Sequence, residues 1–126
     1  MQVRTAAGAK TLPQEYYISE ELFALERRRI FSRHWLYAGH VGRIQEPGDY
    51  FVFDLFADSA VVLRDLDGEV RAHHNVCRHR GARLCDDDCG RLPGALQCPY
   101  HAWTYELDGR LRSAPTMDQV HDFERA

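Results

Sequence analysis

Residues 75–81 read Asn75-Val76-Cys77-Arg78-His79-Arg80-Gly81, and residues 97–103 read Gln97-Cys98-Pro99-Tyr100-His101-Ala102-Trp103. Each segment holds one cysteine and one histidine, so the pattern is C-x-H, eighteen intervening residues, then C-x-x-H. Thiolates and neutral imidazoles together suit zinc or an iron–sulfur centre. Chance would have to drop four ligand-capable residues into two tight clusters to produce the same pattern. A structural zinc finger pairs a close C-x₂₋₄-C with a close H-x₃₋₅-H. Here cysteine and histidine alternate, which disfavours zinc.

Working outward, both segments lie between short runs rich in Val, Phe and Tyr. Residues 36–39, 50–56, 60–64 and 70–73 read as strands before and up to the first segment. A strand at about 96–98 leads into the second, and 103–107 pairs with 110–112 around Asp108-Gly109. Pro47-Gly48 and Asp67-Gly68 are turn signals, the latter placed for a hairpin. Many short strands with turn punctuation predict a mainly β, antiparallel domain, a sandwich or small barrel whose two ligand-bearing segments are loops. Upstream, residues 1–12 lack periodicity and 13–18 read as extended chain, so 1–18 is a tail and lead-in. Ser19 is a candidate N-cap ahead of Glu20 and Glu21, whose charges suit the positive end of a helix. Leu22, Phe23, Leu25 and Ile30 then predict one amphipathic helix over about 20–33, within a 19–34 segment.

The bulk properties agree. A chain of 126 residues with 44% hydrophobic and 28% charged residues supports one globular domain with a modest core. A net charge of −3 gives no reason to expect nucleic acid or an anionic membrane as partner. No apolar run approaches a membrane span, and residues 1–10 hold no signal-peptide core. A reducing, cytoplasmic location is therefore expected, where four cysteines serve as ligands or free thiols and not as disulfides.

In a Rieske [2Fe–2S] centre two cysteines bind one iron and two histidines the other. Cys77, His79, Cys98 and His101 satisfy this if each loop gives one ligand to each iron. The wording around them resembles the Rieske non-haem iron oxygenases, the α-subunits of ring-hydroxylating dioxygenases and related monooxygenases. The resemblance runs from Tyr16 through the helix, Trp35, Pro47-Gly48 and His74-Asn75 to Cys77-Arg78-His79-Arg80-Gly81. It continues through Cys98-Pro99-Tyr100-His101 and Trp103-Thr104-Tyr105 to Asp108-Gly109-Arg110-Leu111. It implies a Rieske domain over 35–113, with the four named residues as cluster ligands and with His79 and His101 turned toward the surface as the electron exit. It further implies a flavin- or ferredoxin-type reductase as electron donor and a mononuclear Fe(II) oxygenase domain as acceptor. The full-length protein would be a homotrimer.

The run 74–81, with Cys98-Pro99-Tyr100-His101 and residues 105–111, looks most like members that demethylate quaternary ammonium compounds such as glycine betaine. Aromatic-ring dioxygenases share much of it. The second iron of the family needs two histidines and a carboxylate. After Leu111 only Asp118, His121, Asp122 and Glu124 are on offer, so 114–126 reads as the start of a linker to an absent catalytic domain. By itself the chain is expected to transfer electrons and to oxygenate nothing. A stand-alone Rieske ferredoxin is the alternative, though the lead-in from Tyr16 through Phe31 and Trp35 resembles α-subunits. A zinc-stabilised binding module is the third reading.

Respiratory Rieske proteins carry a cysteine pair in the two loops and a serine beside the cluster. Ala82 and Tyr100 stand at the positions of that pair, and Trp103 follows Ala102 where the serine would lie. Without that hydroxyl donor the resemblance implies a reduction potential near the lower end of the Rieske range, about −150 mV. Tyr100 and Trp103 are expected to shield the cluster, and Arg78, Arg80 and Arg83 to be solvated, to face an acidic partner or to offset cluster charge. Cys85 and Cys89, flanking Asp86, Asp87 and Asp88, read as free thiols. His73 and His74 precede the first loop on a strand, while His34, His40 and His121 carry no pattern.

Overall fold

The protein is described by a computed structural model covering Gly8 and residues 10–123. Most of the expected tail, and Glu124, lie outside the described residues. The chain divides into two compact units, Met1–Tyr37 and Ala38–Ala126.

In the first unit, the expected extended stretch instead contains a single helical turn, α1 (Glu15–Ile18). Pro13 and Gln14 offer their carbonyls to the Tyr16 and Tyr17 amides at 3.1 and 2.9 Å. A four-residue turn is too short to show periodicity in sequence. Ser19 then adopts an extended conformation and its side chain accepts from the Leu22 amide, capping α2 (Glu20–Glu26). The helix continues as a wider, π-helical turn over Arg27–Phe31, closed by the Ser32 amide on the Arg27 carbonyl. No residue of these helical segments is fully buried.

The second unit is antiparallel β. Strands β1 (Asp49–Leu55) and β2 (Asp58–Arg64) form a hairpin in which Phe51 faces Val62 and Leu55 faces Asp58. Phe56, expected at the end of the strand, sits in the turn with a positive φ. Strand β3 (Val70–His74) pairs with β2, and β4 (Cys89–Arg91) pairs with β1, giving the order β3-β2-β1-β4. A second sheet has the order β5 (Leu96–Gln97), β6 (Thr104–Tyr105), β7 (Leu111–Ser113). Strand β4 was not predicted: its Cys-Gly-Arg wording has no β signature, and pairing with β1 makes it a strand. The Arg91–Asp49 ion pair, at 2.7 Å, ties this edge down. Conversely, the strand expected at 36–39 has no ladder partner among the described residues.

Alternation along β2 explains the core. Val61 and Leu63 are fully buried while their neighbours are less so, the period-two signature of a strand with one covered face. They join Tyr50, Leu96, Tyr105 and Leu107 in a cluster that also contains Cys77 and Cys98. Fully burying a side chain of the Val or Leu kind contributes about 1.5–3 kcal/mol each. The predicted Asp67-Gly68 turn is present and is organised by Asp65. One of its carboxylate oxygens accepts from the Asp67 and Glu69 amides at 3.0 and 2.8 Å, and the other meets Arg71 at 2.8 Å. Among the described residues, no helix is long and apolar enough to cross a membrane.

Candidate metal centre

The two Cys/His segments fold as near-identical loops. In the first, the Cys77 amide donates to the Ala82 carbonyl at 2.7 Å and the Gly81 amide returns to the Cys77 carbonyl at 2.8 Å. In the second, the Cys98 amide donates to the Trp103 carbonyl at 2.8 Å and the Ala102 amide returns to the Cys98 carbonyl at 3.0 Å. Each loop turns on a left-handed residue four positions after its cysteine: Gly81 with φ 72° and Ala102 with φ 56°. The left-handed region suits glycine and strains alanine.

This closure puts like donors together. Cys77 and Cys98 are 1% and 2% exposed and belong to the same core cluster. His79 is half-buried and His101 exposed, and their ring centroids are 4.8 Å apart at 70°. The thiols therefore face the protein interior and the imidazoles the outside. Among the described residues, no group of three or more His, Cys, Asp or Glu converges on a single ion position. A tetrahedral zinc site needs four donors around one point. Donors sorted two and two suit a pair of irons instead.

The electrostatics match that sorting. Burial pushes the Cys98 thiol up, but the Tyr100 and His101 backbone amides and the Cys77 side chain outweigh it, and the net shift is downward. Thiolate is the form that binds metal. Burial lowers the His79 pKa, with the neighbouring His101 and Arg80 adding to the effect. That favours the neutral imidazole a metal requires.

Three supporting residues complete the site. The Tyr105 hydroxyl lies 3.3 Å from the Cys77 sulfur and accepts the Arg78 amide at 3.1 Å. Burial first, then the hydrogen bond with Cys77, pushes Tyr105 up to about 12, so it is a phenol and not a phenolate. Sequence reasoning named Tyr105 only as part of a resembling run; its hydroxyl sits beside the Cys77 sulfur. Asn75 is buried, donates to the Cys85 carbonyl at 2.8 Å and accepts the Leu84 and Cys85 amides at 3.1 and 2.8 Å. It staples the chain entering the first loop to the chain leaving it. His73 meets the Leu107 carbonyl at 2.9 Å, joining β3 to the turn that follows the strand carrying Tyr105. A carbonyl only accepts, so His73 Nε2 carries the proton.

The remaining expectations divide. Trp103 is buried and stacks on His79 with ring centroids 4.8 Å apart and planes 6° apart. Tyr100 is 63% exposed, and its ring lies 3.8 Å from that of His101. A tyrosine two residues past Cys98 lies on the outer, His101 side of the loop. Arg83 is committed to an Asp54 ion pair at 3.1 Å. Cys85 is a buried free thiol raised by burial to about 11, and Cys89 an exposed free thiol. In the C-terminal segment His121 pairs with Asp122 at 2.8 Å, both largely exposed.

Comparison with known proteins agrees with this geometry. The family model for the Rieske [2Fe-2S] domain matches residues 34–124. The glycine betaine monooxygenase oxygenase subunit of Chromohalobacter salexigens is 43% identical over 122 residues, which is 97% of this chain and 27% of that protein. The crystal structure of the quaternary ammonium Rieske monooxygenase CntA in complex with gamma-butyrobetaine superposes with a TM-score of 0.84 at 36% identity. That match covers 91% of this chain and 33% of the other. Naphthalene 1,2-dioxygenase from Rhodococcus sp. bound to indole gives a TM-score of 0.84 at 35% identity, over 90% of this chain and 26% of the other. The chain thus spans roughly a third or less of the relatives it matches. Two mirrored loops, a buried thiol pair, an outward imidazole pair and this breadth of similarity lead to one assignment: the chain belongs to the Rieske [2Fe–2S] domain family.

Proposed function

We propose that Cys77, His79, Cys98 and His101 hold a Rieske [2Fe–2S] cluster, the thiolates on the inner iron and the imidazoles on the outer. The chain then carries one electron at a time as the Rieske portion of a non-haem iron oxygenase. The observation that carries this reading is the sorting of donors, with both thiols buried together and the two imidazoles 4.8 Å apart toward solvent. When bound, the cluster supplies a one-electron couple. The protein's part is to hold it. Backbone amides beside Cys98 and the Tyr105 hydroxyl beside Cys77 offer donors to sulfur, and the buried core keeps water from the thiolate side. His79 and the exposed His101 are the proposed exit for the electron.

By the similarity to the glycine betaine and CntA monooxygenases, the oxygenase is proposed to act on a quaternary ammonium compound, with an aromatic substrate as the second reading. A flavin- or ferredoxin-type reductase is the proposed donor, and a mononuclear-iron domain within a homotrimer the proposed acceptor. Residues 35–113 are proposed as the cluster-carrying domain. A reducing, cytoplasmic location is proposed, in which Cys85 and Cys89 stay as thiols.

Anaerobic reconstitution with ferrous iron and sulfide tests the cluster assignment. The expected product is red-brown, holds two irons and two sulfides per chain, and gives a rhombic electron-spin signal on reduction. Cys77→Ser or Cys98→Ser is expected to abolish it, while Cys89→Ser leaves it intact. A Cys77→Ser variant that loads as well as the unsubstituted protein overturns the assignment.

A further inference from the structure

Trp103 is only 6% exposed, yet its indole Nε1–H has no hydrogen-bond partner among the described residues. Native interiors rarely leave a buried donor unpaired, and one that stays so calls for a specific acceptor. The ring has little freedom to find one by turning. It lies flat on His79, and Phe123 packs edge-on against it at 5.7 Å and 64°. Its backbone is held as well, because the Trp103 carbonyl takes the Cys98 amide at 2.8 Å. Trp103 shares its buried cluster with Cys77 and Cys98, and with the cluster loaded that site would hold cysteine thiolates and sulfides, all acceptors.

We propose that the Trp103 indole N–H donates a hydrogen bond to the sulfur framework of the [2Fe–2S] cluster and raises its reduction potential. The proposal rests on the assignment of the four ligands made above. Its physical basis is that the reduced cluster carries one more negative charge, so a donor to its sulfurs stabilises the reduced form more than the oxidised one. Trp103 is thus a potential-tuning residue standing where the sequence comparison with respiratory proteins placed a lost serine. It acts through nitrogen instead of oxygen. Stacking on His79 and donation to sulfur are separable, because phenylalanine retains the first and lacks the second.

The test uses the full 126-residue chain with its cluster reconstituted and its two tryptophans, Trp35 and Trp103, labelled with ¹⁵N at the indole nitrogen. Electron–nuclear double resonance of the reduced protein is expected to show a ¹⁵N coupling and an exchangeable-proton coupling. Both persist in Trp35→Phe, whose side chain is fully exposed in the native chain, and both vanish in Trp103→Phe. Trp103→Phe is also expected to keep the rhombic signal while its midpoint potential shifts downward. A loaded, labelled, unsubstituted protein without indole coupling overturns the proposal, as does a Trp103→Phe variant with unchanged potential and proton coupling. Should Trp103→Phe fail to load, the labelled unsubstituted protein alone decides. A chain that loads no two-iron cluster at all sinks the ligand assignment instead, and the iron and sulfide content tells the two failures apart.

Discussion

The Tyr105 hydroxyl stands 3.3 Å from the Cys77 sulfur while the Arg78 backbone amide donates to the same oxygen at 3.1 Å. A cysteine that ligates metal is a thiolate with no proton to give, so in the cluster-loaded protein the phenol is the donor of this pair. Tyr105→Phe removes that donor and leaves the Arg78 amide without this acceptor. A differential of about 1 kcal/mol between the two oxidation states corresponds to roughly 40 mV for a one-electron couple. The midpoint potential of the cluster-loaded protein is therefore expected to fall by about that amount, as read by redox titration. A potential unmoved or raised would count against the hydroxyl as a donor to the ligand.

Ala102 repeats in the second loop the left-handed backbone that Gly81 adopts in the first. A left-handed alanine costs about 1–2 kcal/mol, partly offset by its smaller entropy loss on folding. Ala102→Gly is expected to stabilise the protein by about 1 kcal/mol, seen as a higher urea midpoint with an unchanged slope. Destabilisation would mean that the loop relies on the alanine methyl.

Gly109 turns the chain between β6 and β7 with φ 96°, and a Cβ there would come within 2.8 Å of the His73 ring. Gly109→Ala is strained in backbone and pushes His73 off the Leu107 carbonyl. A loss of at least about 1 kcal/mol in unfolding free energy is expected. Because Leu107 follows the strand that carries Tyr105, a change in the cluster's electron-spin line shape should accompany it.

Asp65 supports the hairpin between β2 and β3, and its pKa is held below the usual carboxylate value, chiefly by the Arg71 side chain and then by the Glu69 and Asp67 amides. A depressed folded pKa stabilises the folded state above the unfolded value of about 3.9 and loses that contribution as pH falls through the folded pKa. Asp65→Asn should lower the thermal midpoint at pH 7 and matter progressively less in acid. Equal loss at pH 7 and at pH 3 would show that packing, and not charge, is what Asp65 supplies.

Much of this molecule was legible in its residues. The run Ala60 to Leu63 announces β2 by its β-branched, apolar residues, Asp67-Gly68 announces its turn, and Cys77, His79, Cys98 and His101 announce a metal site by chemistry and spacing. Periodicity and ligand type are local properties, readable along the chain. Strand β4 was not legible, because a Cys-Gly-Arg segment becomes a strand only when β1 offers it a ladder. The stretch 36–39 shows the reverse, strand-like wording with no ladder to join.

The sequence by itself determined which donors are present and that they come in two loops. Only the tertiary structure decided which donors lie inward, which outward, and what stands behind them. Tyr105 reaches Cys77 across 28 positions, and Trp103 lies against His79 across 24, because two separate sheets bring their loops together. Such distances depend on the packing of non-local elements, which one-dimensional spacing does not encode.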